Sequence, residues 1–226
     1  MKLSTNTLNL LKNFSMINEG IFIKKGNVIE TISKLKNILA RAEIQETFED
    51  DFGIYDLNKF LGVISLENES PEIKFDDKCI IIETFSGRSR TNYRKASKDV
   101  LLVPPDKKIN MGVPEITITL TKEEMAWINR IASMLSSPNI SFVSDGEKIE
   151  VHTYDAKDDG CDVNVTQLDA DPKGKKYHVI FRTENLKFVD GSYEIQNVSK
   201  GIGHFKNLNA PVEYWVMHET GSTYGE

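Results

Sequence analysis

The sequence predicts an α+β chain of two similar domains, each made of antiparallel sheets with two helices. Three observations predict it. Short strand-like runs separated by turn residues recur along the chain, which favours antiparallel pairing over crossover units. Segments of helical spacing interrupt those runs at intervals. A proline-rich stretch near the middle is followed by the same order of elements again, a repeat of arrangement and not of sequence.

Ser4 is placed to cap a first helix, whose apolar residues Leu8, Leu10, Leu11 and Phe14 recur on a helical spacing. Gly20 closes that region. Strands are expected at 21–24, 28–32, 38–44 and 52–55, a second helix at 57–66, and strands at 72–75 and 79–83. A polar, basic run then leads to Lys98. The stretch VLLVPPDKKINMGVPE at 100–115 contains three prolines and a glycine. Proline removes backbone donors and fixes the chain, so this reads as an extended connector. The domains are accordingly placed at 1–103 and 115–226, with 104–114 between them. A strand is expected at 116–120. Thr121 and Glu124 then form a capping box ahead of the apolar run Trp127, Ile128, Ile131, Met134 and Leu135. Strands at 140–143, 149–154, 163–168 and 177–182, a short helix at 183–189, and strands at 192–198, 202–206 and 212–218 complete the second series.

With 39% hydrophobic and 27% charged residues in 226, the chain can build two ordinary cores. Its net charge of −6 argues against a general basic coat for nucleic acid. It does not exclude DNA, because salt screens charge beyond ~10 Å and a ligand feels the local face. No apolar run approaches the ~18 residues needed to span a bilayer. The first residues lack a signal-peptide layout, so an intracellular protein without a membrane partner is expected. On that reading the sequons at Asn13, Asn68, Asn139, Asn164 and Asn197 carry no meaning.

A search for chemistry is mostly negative. Cys79 and Cys161 are far apart and in no metal or redox spacing. His152, His178, His204 and His218 are dispersed and read as structural or surface residues. Asp155, Asp158, Asp159 and Asp162 surround Gly160 and invite a calcium-loop reading. With Gly160 at the invariant glycine, however, the third loop position is Lys157 and the last is Thr166, where a glutamate is required. Gly201 and Gly203 lack the third glycine and the helix of a dinucleotide loop, since position 206 is Lys206. No cofactor and no catalytic constellation is expected, which points to binding or assembly.

The informative pattern is a shortage of acids on the helices. From Met1 to Asn18 the only charges are Lys2 and Lys12, and Asn9, Lys12 and Asn13 lie off the apolar stripe. The second helix carries only Lys59. The third has Glu123 and Glu124 in its first turn, where acids suit the helix dipole, and only Arg130 beyond it. The fourth has Glu184 and then Lys187. Neutral to positive helix faces in an acidic protein suit weak contacts with phosphates and no reading of bases.

Here the residues resemble a family. MKLS, LLKNF and IYDLNKFLGVISL (54–66) are similar to the sliding clamps of T-even-type bacteriophages. EEMAWINRIA (123–132) and ENLKFVDGSYEI (184–195) resemble that family's third and fourth helical segments. LLVPPDKKINMG resembles its interdomain linker, and PVEYWVMHE its last strand. The resemblance spans nearly the whole chain, most specifically in the first 66 residues, and departs at 88–98 and 155–171.

The resemblance implies a DNA-clamp fold closed into a homotrimeric ring, with helices around the hole and sheets outside. It implies duplex DNA, encircled without sequence preference, as a partner. It also implies an ATP-driven clamp loader, a replicative DNA polymerase that docks by its C-terminal peptide, and a sigma-like factor of late transcription. The setting is the cytoplasm of an infected bacterial host, and no chemistry is performed. DNA-facing candidates are Lys2, Lys12, Lys59, Lys122, Arg130 and Lys187, with Lys122 resting on helix position alone. Candidates for the partner-peptide groove are Val103, Pro104, Met111, Tyr214 and Trp215. One reading goes beyond the family. Arg88, Arg90 and Arg94, followed by Lys95 and Lys98, are set against the six aspartates of 155–171, foremost Asp158, Asp159 and Asp162, across a subunit boundary. The rival is that the basic run meets DNA or the loader. Two other classes compete for the whole chain: a β-rich phage structural protein, and an enzyme using the aspartate cluster.

Overall fold

The computed structural model describes residues 1–67, 70–107 and 109–225. The sequon at Asn68 and the connector residue Lys108 lie outside the described residues. The chain divides into two compact units, Met1–Lys107 and Lys108–Glu226.

The first unit opens with helix α1 (Thr5–Ser15), followed by strands β1 (Ile21–Ile23), β2 (Gly26–Ile32), β3 (Ile38–Phe48) and β4 (Phe52–Ile54). Helix α2 (Leu57–Ile64) precedes β5 (Glu72–Phe75), β6 (Cys79–Thr84) and β7 (Ser89–Arg94). All pairings within the unit are antiparallel: β1 with β4, β2 with β3, and β5, β6 and β7 in that order. Period two is plain in β3, whose residues from Ile38 to Ile44 alternate between buried and more exposed. The core gathers Leu11 and Phe14 of α1, Leu57 and Phe60 of α2, and Ile21, Ile54, Ile80 and Ile82 of the strands. Phe48, Phe52 and Phe75 form a second cluster, with ring centroids 5.0 to 6.1 Å apart.

The second unit comprises β8 (Ile116–Leu120), α3 (Lys122–Met134), β9 (Asn139–Asp145), β10 (Ile149–Tyr154), β11 (Asn164–Leu168), β12 (Lys176–Arg182), β13 (Tyr193–Val198), β14 (Ile202–Asn207), β15 (Val212–Met217) and β16 (Thr223–Tyr224). One sheet runs β11-β10-β9-β12-β16. The other joins β8, β13, β14 and β15, again antiparallel throughout. Between them lies an aromatic core in which Phe188 stacks on Tyr214 at 4.2 Å and approaches Phe205 at 5.0 Å.

Three features differ from the sequence reading. The basic run after residue 88 is a strand, β7. The fourth helix is only a four-residue 3-10 turn, Thr183–Leu186. Its continuation is lost because Phe188 is drawn into the aromatic core and its N–H bonds back to Leu186 O at 3.0 Å. Tertiary packing overrides a weak local helix here. A short final strand, β16, was not expected. The paired glycines also find their reasons. Gly201 has φ +86° in the β13–β14 turn, and a Cβ on Gly203 would lie 2.6 Å from Asn197 Oδ1 and 2.7 Å from Phe181 Cζ.

Candidate nucleic-acid interface

Ser4 caps α1, and its hydroxyl accepts from Thr7 N at 3.2 Å. The sequence places no acid near this helix start, yet the fold supplies one from β3. Glu46 accepts the Ser4 N–H and, at 2.5 Å, the buried Thr7 hydroxyl. Burial alone would raise the pKa of Glu46. The Thr7 and Ser4 hydrogen bonds together outweigh it and hold the carboxyl below its ordinary value. This acid points at the helix terminus and leaves the outer face clear. That face exposes Lys2, Thr5, Asn6, Asn9 and Lys12. Asn13, expected beside them, is buried at 5% exposure. α2 packs against α1, so the covered arc is wider than the apolar stripe.

α2 is capped by Asp56, whose carboxylate accepts Lys59 N at 2.9 Å and lies 3.1 Å from Lys59 Nζ. The Lys59 backbone N–H, then its side chain, hold the Asp56 carboxyl low. Asn58, Lys59 and Gly62 are exposed, again with no acid within the helix. Because α1 and α2 pack together, Lys12 and Lys59 belong to one helical layer.

The capping box of α3 is present in both directions, with Glu124 N to Thr121 Oγ1 at 3.2 Å and Thr121 N to Glu124 Oε2 at 2.8 Å. Its buried residues are Met125, Ile128 and Ala132. Trp127 and Met134, read as part of the apolar run, are 50% and 77% exposed. At about 100° per residue they stand on the half of the helix opposite that buried arc. Arg130 is exposed between them, and among the described residues neither it, Lys2 nor Lys12 has an ion-pair partner. Lys122 Nζ lies 3.8 Å from Asp190. Lys187 is exposed at the end of the 3-10 turn. All six cationic candidates are therefore on the surface, with Asp56 and Asp190 beside two of them.

The groove candidates separate. Val103 and Met111 are half-buried and Pro104 is buried. Tyr214 is 0% exposed, with its hydroxyl accepting Val189 N at 3.2 Å, so it belongs to the core and not to a docking surface. Neighbouring residues on a strand face opposite ways, so Tyr214 and Trp215 cannot line one groove. Trp215 is half-buried and stacks on His204 at 4.8 Å, and His204 Nε2 lies 3.0 Å from Glu213.

Arg90 and Arg94 are exposed on β7. Arg88, also exposed, precedes it with its guanidinium 3.8 Å from the Phe85 ring centroid. Asp158, Asp159 and Asp162 are exposed in the loop before β11, where Asp158 accepts Gly160 N at 2.9 Å. Among the described residues no group of three or more His, Cys, Asp and Glu is placed to hold a metal ion. The four histidines engage separate neighbours: His152 with Glu150, His178 with Tyr154, His204 with Glu213, and His218 with Asn197 and Tyr224. A cavity of about 520 Å³ at the starts of β8 and β12 is lined by Ile116, Tyr177 and Tyr224 with Lys175 and Lys176. No local pattern announces it, because Tyr224 lies on the unexpected strand β16. Among the described residues no helix is long and apolar enough to cross a membrane.

Two α+β units of antiparallel sheets, the first with two α-helices and the second with one, have the fold of the DNA clamps. The chain superposes on the PCNA of A. fulgidus, solved with the C-terminal region of FEN-1 bound, at TM-score 0.69 and 11% identity, covering 96% of each chain. It matches the Helicobacter pylori beta clamp bound to a DNA ligase peptide at TM-score 0.69 and 14% identity, covering 97% of this chain but 65% of that one. Sequence carries the assignment further. Residues 2–103 match the family described as DNA polymerase processivity factor, and the chain is 31% identical over 229 residues to the sliding clamp of Enterobacteria phage T4, covering 99% of both. The chain belongs to the sliding clamps, the non-enzymatic processivity factors of DNA polymerases.

Proposed function

We propose that three copies of this chain close into a ring around duplex DNA and tether the replicative polymerase of a phage to its template in the host cytoplasm. The observation that carries this is the composition of the exposed helix faces. α1 and α2 present no acid, α3 presents acids only in its first turn, and each unit contributes cations. Closure provides a topological link, so the contacts themselves stay weak. Screened phosphate contacts from Lys2, Lys12, Lys59, Lys122, Arg130 and Lys187 let the ring move along DNA without reading bases. Lys2, Lys12 and Arg130 are the foremost of these, since Lys59 and Lys122 share their charge with Asp56 and Asp190.

The domain division is proposed to fall in 104–114. β7 and β11 each have one neighbour in their sheets. We assign the boundary between copies to these open edges, with Arg88, Arg90 and Arg94 of one copy facing Asp158, Asp159 and Asp162 of the next. Exposed pairs of this kind contribute ~0–1 kcal/mol each and steer assembly more than they hold it. A polymerase peptide docks on the second unit, on the face that carries Trp215, with Met111, Val103 and Pro104 as connector-side candidates. The peptides bound to the A. fulgidus and H. pylori clamps support this mode. An ATP-driven loader and a late-transcription factor are the remaining partners.

The test is extension of a primed circular template by the cognate polymerase with its loader. Products lengthened by the clamp, and shortened by Trp215→Ala, support the proposal. Product lengths that do not respond to the clamp contradict it and favour a structural role.

A further inference from the structure

The first unit holds an aromatic cavity that the proposed ring does not use. Its volume is about 350 Å³, at the lower end of the ~300–1,000 Å³ usual for ligand cavities. The apolar lining comes from Phe48 and Phe52 at the β3–β4 turn, Ile73 and Phe75 of β5, and Met1. Phe48, Phe52 and Ile73 are buried, whereas Phe75 is 37% and Met1 36% exposed, so these two bring apolar surface to the mouth. The three rings brace one another, while the unbranched Met1 side chain can adapt to what enters.

The cavity borders an open line of backbone. In the sheet β5-β6-β7, β5 has β6 as its single neighbour. On its other side Ile73 N donates to Met1 O at 2.8 Å, and the Met1 ammonium donates to Ile73 O at 2.6 Å. In an antiparallel strand the N–H and C=O of alternate residues point the same way. Those of Phe75 therefore face the Met1 side as well, about 7 Å further along β5. The mouth is acidic. Glu49 and Asp50 line it, both are exposed, and among the described residues neither has a partner. The nearby cations are engaged elsewhere. Lys74 points to the opposite face of β5, where its Nζ lies 2.9 Å from Glu83, and Lys95 Nζ donates to Asp76 O at 2.5 Å.

We propose that this cavity docks a short extended segment of a partner protein, an aliphatic residue flanked by lysine or arginine. The backbone of the segment pairs with the open groups of Phe75, as a strand added to a sheet edge does. Its aliphatic side chain enters between Phe52, Phe75 and Met1. The basic neighbours meet Glu49 and Asp50, and the same carboxylates repel an acidic segment. Rim charges of this kind set encounter and selectivity, while the buried anchor slows departure. The site shares no residue with the DNA-facing cations, the candidates for the polymerase-peptide groove or the arginines at 88–94, so it stands independently of the ring.

The test uses the full chain and a fluorescein-labelled heptapeptide, GKKLKKG, with GKKSKKG and GEELEEG beside it, in fluorescence anisotropy at low salt. The expected result is saturable binding of GKKLKKG with a Kd below about 1 mM, and binding about tenfold weaker or less for both other peptides. Glu49→Gln combined with Asp50→Asn, and separately Phe75→Ser, should each weaken GKKLKKG about tenfold. The carboxylate changes are at exposed positions and should leave far-UV circular dichroism unchanged. In NMR spectra of isotope-labelled phenylalanine amides, Phe75 should move most on titration. Absence of saturable binding up to about 1 mM overturns the proposal. Equal binding of GKKSKKG reduces the effect to charge attraction, and equal binding of GEELEEG reduces it to apolar capture; either overturns it. Binding that the carboxylate changes leave unaltered, with the Phe75 amide unmoved, places the peptide elsewhere and overturns it as well.

Discussion

Replacing Glu46 by alanine tests whether a strand carboxylate holds the start of α1. Glu46 accepts both the Ser4 N–H and the hydroxyl of Thr7, a residue 1% exposed. A hydrogen bond to a charged acceptor contributes about 1.5–3 kcal/mol when buried. Glu46 is only half-buried, and the freed Thr7 hydroxyl can turn to Ser4 Oγ, 3.1 Å away. The lower end applies, so Glu46→Ala is expected to cost about 2 kcal/mol and Glu46→Gln, which keeps an acceptor, about 1 kcal/mol. Urea unfolding followed by far-UV circular dichroism is the assay, because both tryptophans lie in the second unit. The folded pKa of Glu46 is lowered, so its stabilisation is complete above the ordinary value of 4.5 and is lost as pH falls through the lowered value. The gap between wild type and Glu46→Ala should therefore close in acid. A Glu46→Ala midpoint equal to wild type at pH 7, or a gap that widens in acid, refutes the reasoning.

Three further outcomes are expected. Burial holds the His218 pKa at about 4, below its ordinary 6.5, so the folded state resists protonation; stability present above pH 6.5 should fall towards pH 4, by on the order of 3 kcal/mol, and His218→Gln should flatten that part of a urea-midpoint profile. Ser136 closes α3 at φ +52°, with Ser137 N bonded to Ala132 O at 2.8 Å; glycine is at ease in that conformation, so Ser136→Gly should raise stability by about 0.5–1 kcal/mol in thermal unfolding. Lys12→Ala and Arg130→Ala should each lower the salt dependence of DNA affinity by about 0.9 in slope per chain contact removed, with unfolding midpoints unchanged.

Much of the fold was legible because local signals agreed with tertiary demands. The strands at 72–75, 116–120 and 149–154 were bounded as observed, and the Thr121–Glu124 box fixed the start of α3 to the residue. Signals failed where partners distant in sequence decide. β7 has a polar composition, SRTNYR, and gains its strand from pairing with β6. The fourth helix yields to the stack of Phe188 on Tyr214. Site residues were harder still. Tyr214 and Trp215 are adjacent in sequence but face opposite sides of β15. Trp127 looked like core because it sits in an apolar run, and only the positions of Met125 and Ala132 show which arc is covered. Glu46 was invisible, since nothing near it announces the helix 39 residues earlier whose Thr7 it binds.

The central claim, a closed ring held on DNA by topology, is tested most directly by retention on circular duplex followed by a single cut. With loader and ATP, the clamp should stay on the circle through high salt and leave promptly once the circle is linearised. A clamp that washes off the intact circle, or that stays equally long on the cut molecule without blocked ends, contradicts the account.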